Sequence, residues 1–368
     1  MKAAEFKKLG DYVKIKTGKL DANASSDDGE YPFFTCSIEP LKISSFSYDC
    51  ECCLVAGNGD LNVKYYNGKF DAYQRTYIIE SLDKEKLDVM YLYFFLCSYI
   101  EVLRKQSIGG VIKYIKLGNL TDALIPIPSL EKQKKICRNL IKAQKVLNEN
   151  QALFSKYDIL IKSRFIEMFG DPVLNPMGWE EVRITELCKN PDDIKCGPFG
   201  TQLSKDEYQK KGVPIFGIPQ INSSFRVLPT DFLTNSKAEK LDAYSLIYGD
   251  IAMSRKGNVG KCAIYSGKEK GIIHSDVVRL RVDDAICNSI YLMNQLHINQ
   301  KVETQISNVS SGAIMAGINV TKMKDIIVYN PPLSLQNNFA TFVQQIDKSK
   351  FEIWLTLQNY GIIEKRVF

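Results

Sequence analysis

Residues 109–136, GGVIKYIKLGNLTDALIPIPSLEKQKKI, match residues 312–339, GAIMAGINVTKMKDIIVYNPPLSLQNNF, without a gap at an offset of 203. Gly109 falls on Gly312, Ile115 on Ile318, Asp122 on Asp325, Pro128 on Pro331, Leu130 on Leu333 and Gln133 on Gln336. Upstream, residues 74–96 fall on 274–296 at an offset of 200, which puts Tyr91-Leu92 on Tyr291-Leu292. Residues 6–9 resemble 179–182 at an offset of 173. A chain that repeats itself over such a length folds as two like modules. The second copy carries roughly 27 extra residues near its start, expected as a surface loop around 191–211.

Each copy opens with short β-type runs separated by Gly, Asn and Asp: 11–15, 31–34, 53–56 and 76–79 in the first, 213–216, 251–253, 262–265 and 277–280 in the second. A helix follows (87–105 and 288–305), then a glycine-containing loop and a strand ending near Pro128 or Pro331. Ser129 and Ser334 are then fair N-caps, and from Ser129 no Pro or Gly occurs until Gly170. Ile136, Leu140, Ala143, Leu147, Asn150, Phe154, Tyr157, Ile161, Arg164 and Met168 recur at alternating spacings of four and three, a heptad seam with polar interruptions. A helix of about 40 residues would be roughly 60 Å long. The second copy repeats the seam with Phe339, Val343, Ile346, Ile353, Leu357 and Tyr360. A lone helix of this length cannot bury its stripe, so the two are expected to pair as an antiparallel coiled coil. The expected fold is mixed α/β (α+β) with a pseudo-two-fold repeat. Its modules are 1–128 and 171–331, and each leads into a long helix, 129–170 and 332–368. The joint FGDPVLNPMGW, 169–179, ends one helix and starts the next module.

Composition excludes little. The net charge of +6 permits an anionic partner without requiring one. Ten cysteines in 368 residues suggest a reducing compartment. The opening residues show no signal-peptide pattern, and the apolar run 89–100 is too short for a bilayer, so a cytoplasmic protein is expected. Cys50 and Cys53 form one CxxC with no second pair at zinc spacing, so structural thiols are expected and no metal. The two histidines, His274 and His297, have no nucleophile or carboxylate constellation around them. No catalytic residue and no cofactor site is expected in this chain.

Two modules each followed by a long helix, the helix starts Pro128-Ser-Leu130-Glu-Lys-Gln133 and Pro331-Pro-Leu333-Ser-Leu-Gln336, and the FGDP…NPxGW joint together resemble the specificity subunit of type I restriction–modification enzymes. The resemblance covers nearly the whole chain. It implies that each module is a target-recognition domain for one half of a split DNA site. It also implies that the helices act as a ruler and as the docking surface for two methyltransferase subunits, which a restriction translocase can join. S-adenosylmethionine would be bound by the partner methyltransferase only. Asn337-Asn338 stand where the first copy has Lys134-Lys135, so the second helix is expected to dock less electrostatically.

Double-stranded DNA as the partner points to loops that carry Arg, Lys, Asn and Gln beside glycines, because these side chains read base edges and phosphates. The first copy offers Asn58, Lys64, Tyr66, Gln74 and Arg75, with Lys113, Tyr114 and Lys116 in the Gly109 loop. The second offers Arg255, Lys256, Asn258, Lys261 and His274. Asn330-Pro331-Pro332-Leu333 resembles the Asn-Pro-Pro-aromatic motif of amino-methyltransferases, but leucine cannot stack on a base and the first copy lacks the Asn. A structural role is expected. The alternatives are a self-sufficient adenine DNA methyltransferase, favoured by S-adenosylmethionine binding, and a coiled-coil adaptor for proteins, favoured by failure to bind any duplex.

Overall fold

The computed structural model describes residues 6–310, 317–318 and 320–364, with side chains to residue 308 and again up to 355. Contacts divide the chain into two units, one holding the residues up to Gln151 and from Trp354 onward, the other Ala152–Ile353. The fold is mixed α/β.

In the first unit a six-stranded sheet runs in the order Val13–Thr17, Thr76–Ser81, Tyr48–Ala56, Val63–Ala72, Tyr31–Phe34, Leu41–Ile43. All neighbours are antiparallel except Tyr31–Phe34 beside Val63–Ala72. Period-two alternation gives the sheet two buried faces. Cys53, Val55 and Ile79 join the core of the helix Val89–Gln106, whereas Cys52, Leu54 and Ile78 pack with Phe34 and Phe70. That helix buries Tyr91, Leu92, Phe95, Leu96 and Leu103 in this core. Among the described residues no helix is long and apolar enough to cross a membrane. Cys50 and Cys53 are three apart on one strand and so face opposite sides of the sheet, where they cannot share a metal ion.

The second unit repeats this scaffold. Its strands Ile194–Cys196, Val277–Leu280, Ile251–Ser254 and Cys262–Ile264 keep the order of the first four strands of the other sheet. The long strand Val63–Ala72 is here interrupted, so Gly271–Ile273 continues in a separate sheet with Val213–Phe216, Phe232–Leu233 and Ser245–Leu246. The pairing of Val213–Phe216 with Gly271–Ile273 is again parallel.

Single hydrogen bonds recur in both units. Leu9 N–H donates to Ala123 O and Ile184 N–H to Ile326 O, both at 2.8 Å. Tyr91 Oη donates to Pro126 O at 2.9 Å and Tyr291 Oη to Tyr329 O at 3.2 Å. Tyr73 N–H donates to Phe34 O and His274 N–H to Phe216 O, both at 2.9 Å. These bonds correct the sequence alignment. Phe6 pairs with Pro126 and Glu181 with Tyr329, so the repeat starts at an offset of 175 rather than 173. His274 takes the place of Tyr73, not of Gln74, and the offset becomes 200 only at the turn before the next helix, where Asp83 O accepts from Leu87 N–H and Asp283 O from Cys287 N–H. The offset grows from 182 at Phe34/Phe216 to 198 at Ala56/Ser254. Most of the extra residues therefore lie between Phe216 and Ser254, where the chain forms the helices Ile218–Asn222 and Asn235–Lys240, and not around 191–211. Apolar patterning fixes strands and helices but cannot say where between two of them an insertion falls.

One glycine recurs for a steric reason. A Cβ on Gly18 would lie 2.0 Å from Ala72 O, and one on Gly197 2.3 Å from His274 O. Each glycine also donates its N–H, to Thr76 O and Val277 O respectively. Gly197→Ala is expected to cost about 1–3 kcal/mol by overpacking, read as a lowered denaturation midpoint.

The helix Leu130–Phe169 runs unbroken for 40 residues, and the helix Leu333–Glu364 for 32. Within the second unit they lie against each other antiparallel. Ile161, Phe165 and Phe169 share a core with Phe339, Val343 and Ile346, while Asp158 meets Lys350 at 2.7 Å further along. Leu140 is buried, and Ile136, Leu147, Phe154, Tyr157 and Ile353 are half-buried. Leu357 and Tyr360 lie outside the residues whose side chains are described. The joint between helix and module is a bonded loop. Asn175, at φ 48°, exchanges hydrogen bonds of 2.9 Å with the Trp179 backbone, and Trp179 Nε1 donates to Phe169 O at 2.8 Å.

Candidate nucleic-acid interface

The end of a strand needs partners for its backbone groups, and in the first unit two loops meet for that reason. After Tyr48–Ala56, Gly57 donates its N–H to Arg75 O at 2.8 Å and accepts from Ile115 N–H at 2.9 Å. Gly59 N–H donates to Lys113 O at 2.9 Å, and Asn58 bridges Tyr114. The loop bearing Asn58, the Gly109 loop and the turn before Thr76 thus form one surface. Asn58 is half-buried there, and Arg75, Lys113, Tyr114 and Lys116 are exposed. The Arg75, Lys113 and Lys116 side chains carry no ion pair among the described residues, so their charge is available to a phosphate. Gln74 is held at 2.7 Å by Asp21.

Two candidates sit elsewhere. Lys64 and Tyr66 belong to the strand Val63–Ala72, not to a loop, and Asn67 and Gly68 of that strand pair with Glu51 and Cys50. Tyr66 packs its ring 5.0 Å from Phe34 and 5.6 Å from Phe70, and Lys64 donates to Asn62 Oδ1. Burial draws the Lys64 ammonium below its usual range.

The second unit builds the same junction. Arg255 N–H donates to Asp276 O at 2.8 Å, and Arg255 O accepts from Ile318 N–H at 3.1 Å. The Arg255 side chain is partly engaged within its own unit. Its Nε donates to Ile318 O at 2.9 Å, Nη1 reaches Ser275 O at 3.4 Å, and the guanidinium lies 4.8 Å over the Phe199 ring. Lys256 pairs with Asp276 at 2.8 Å. His274 Nδ1 accepts from Asp276 N–H at 3.2 Å. Asn258 and Lys261 are exposed, with no side-chain partner among the described residues. Arg255 therefore braces this loop, while Asn258 and Lys261 present it. Phe199 and Asp276 were not legible in the sequence, because each acts through a contact across the fold.

The Asn330-Pro331-Pro332 segment and His297 take part in structural contacts. Gln336, fully buried, donates Nε2 to Pro331 O at 2.8 Å and to Asn330 Oδ1 at 3.0 Å, while its Oε1 accepts from Asn288 N–H at 2.8 Å. Asn330 is thereby tied to the helix start. Gln133 does the same work, donating to Lys86 O at 2.8 Å and Pro128 O at 2.9 Å and accepting from Asp88 N–H at 2.9 Å. His297 Nε2 accepts from Cys262 N–H at 3.1 Å. No cluster of metal-ligating side chains exists among the described residues.

Comparison with known proteins agrees with this architecture. The family described as Type I restriction modification DNA specificity domain matches residues 1–153 and 176–359, one match for each copy. The chain is 28% identical to the type I restriction enzyme EcoDI specificity subunit of Escherichia coli, over 92% of this chain and 80% of that one. It is 21% identical to a putative type I restriction enzyme specificity subunit of Haemophilus influenzae, over 93% and 87%. In fold it resembles the type I restriction-modification S subunit from M. genitalium, with a TM-score of 0.63 at 16% identity over 99% of this chain and 95% of that one. With the family matching most of its length and both copies, the chain belongs to the type I restriction–modification DNA specificity subunits.

Proposed function

We propose that this chain is the non-catalytic subunit that gives a type I methyltransferase complex its DNA sequence, reading a target in two parts. The observation that carries the reading is the recurrence of one junction in both units, Gly57–Arg75–Ile115 in the first and Arg255–Asp276–Ile318 in the second, each bearing exposed side chains suited to phosphates and base edges. The two junctions carry different residues, so the two half-sites differ in sequence. Half-site spacing then follows from protein geometry, with the paired long helices as the ruler. The same helices offer docking surface to methyltransferase subunits, and S-adenosylmethionine belongs to those partners. A restriction subunit can join the assembled core.

The test is duplex binding by this chain assembled with the methyltransferase encoded beside it. Binding should weaken steeply as salt rises. Arg75→Ala with Lys113→Ala should make the slope of log affinity against log salt shallower by about 2, since each phosphate contact contributes about 0.9. An unchanged slope would remove these two residues from the interface. Absence of any duplex binding by the assembled complex would overturn the reading itself.

A further inference from the structure

The Gly109 loop carries side chains that phosphate binding does not use. Val111 is fully exposed, Ile112 is 63% exposed, and Ile108 and Tyr114 flank them with part of their surface open. Four large apolar groups at one loop tip are costly in water and call for an occupant. The tip is also held in shape. Ile108 and Tyr114 exchange two backbone hydrogen bonds, of 3.0 and 2.9 Å, and the Lys113 carbonyl is fixed by Gly59. Gly109 lies at φ +118°, and a Cβ there would come 2.5 Å from Ile112 O, so the turn depends on that glycine.

The charge around the tip selects the occupant. Lys113 and Lys116 lie within the loop, Arg75 and Asn58 lie on the surface it is bonded to, and Lys105 lies in the last turn of the helix that leads into it. An aliphatic point on a loop that carries two lysines and is bonded to the Arg75 turn matches a duplex, whose phosphates take the cations and whose stacked bases and thymine methyls take the apolar atoms. The repeat supplies a second argument. At the offset of 203, Gly312 stands for Gly109, Ile314 for Val111 and Met315 for Ile112. Residues 311–316 lie outside the described ones, and the correspondence is one of sequence.

We propose that Val111 and Ile112 form an apolar wedge that presses against a base step in the half-site read by the first unit. The proposal rests on the function proposed above and names a mode of contact for it. Phosphate contact by the cationic side chains would set register, and the wedge would report how readily one step unstacks.

The experiment uses the complex with its methyltransferase and a duplex bearing its methylated motif. 2-Aminopurine is placed in turn at each position in and beside the first half-site. Wild-type complex should raise the probe's fluorescence at one step. Val111→Ser with Ile112→Ser should abolish that rise and weaken specific binding by about tenfold, as losing one read base pair does, while assembly with the methyltransferase persists. Val111→Leu with Ile112→Leu should keep both the rise and the affinity. The proposal is overturned if no probe position responds in wild type, or if the serine variant binds within about twofold of it. It is overturned too if the serine variant fails to assemble, which would make the tip a protein contact. A wild-type complex that binds no duplex would instead sink the proposed function.

Discussion

Phe165→Ala is expected to destabilise the second unit by about 3–5 kcal/mol, the range for emptying a buried aromatic site. Phe165 is 2% exposed. Its ring lies 4.9 Å from Phe169, 5.8 Å from Tyr291 and 5.5 Å from Phe339, so it touches both long helices and the helix Ser289–Ile298 of the module. The cavity cannot close by a small shift, because its walls are three elements fixed by other contacts. Urea unfolding of the full chain followed by tryptophan fluorescence reads the effect. Trp179 reports directly, since its Nε1 donates to Phe169 O one turn along the helix. Ile159→Ala, at a position 65% exposed, is the control and should shift the midpoint little.

Gln133→Leu and Gln336→Leu are each expected to cost about 2–5 kcal/mol despite the near match in size. Each glutamine is fully buried and serves one backbone N–H and two acceptors. Leucine leaves those groups desolvated and unpaired, which is the expensive side of the hydrogen-bond balance. The bonds join the start of a long helix to the cap of the preceding module helix, Asp88 in one case and Asn288 in the other. The loss should therefore appear as easier opening of the helix start, read by hydrogen exchange at residues 130–137 or 333–340. Gln144→Leu, on the exposed face of the same helix, should leave exchange there unchanged.

This pair of glutamines shows why parts of the structure were legible. A helix start with proline, leucine and glutamine at fixed places recurs because one buried side chain must meet three polar groups, all backbone for Gln133 and two backbone with the Asn330 Oδ1 for Gln336. The long helices were legible because a 3.5-residue period sustained from Ile136 to Met168 has no other economical fold. The runs 31–34, 213–216 and 277–280 were read at their observed bounds, whereas the strand Tyr48–Ala56 starts five residues before the run read at 53–56, and the short strands Leu41–Ile43 and Gly271–Ile273 were not read. Nor was the strand Val63–Ala72, since Asn67-Gly68 mimics a turn and only pairing with Tyr48–Ala56 decides the matter. For that reason Lys64 and Tyr66 were assigned to a loop they do not occupy.

The candidate interface was half legible for a related reason. Composition pointed to Asn58, Arg75 and the Gly109 loop separately, and backbone bonds then bring them together. It could not separate Arg255, which spends Nε and Nη1 inside its own unit, from Lys261, whose ammonium has no partner among the described residues. That distinction depends on Phe199, Ser275 and Ile318, which are distant in sequence. The one-residue slip that matched His274 with Gln74 has the same origin, because register within a strand is set by its neighbours.

The central claim is that each unit inspects its own part of one target. The most direct measurement co-expresses this chain with its methyltransferase, maps methylated motifs across a genome, and repeats the map after residues 171–331 are exchanged for those of a relative with another target. The account predicts a two-part motif in which one half changes and the other half and the spacing stay as they were. A motif that changes throughout, or an undivided one, would contradict it.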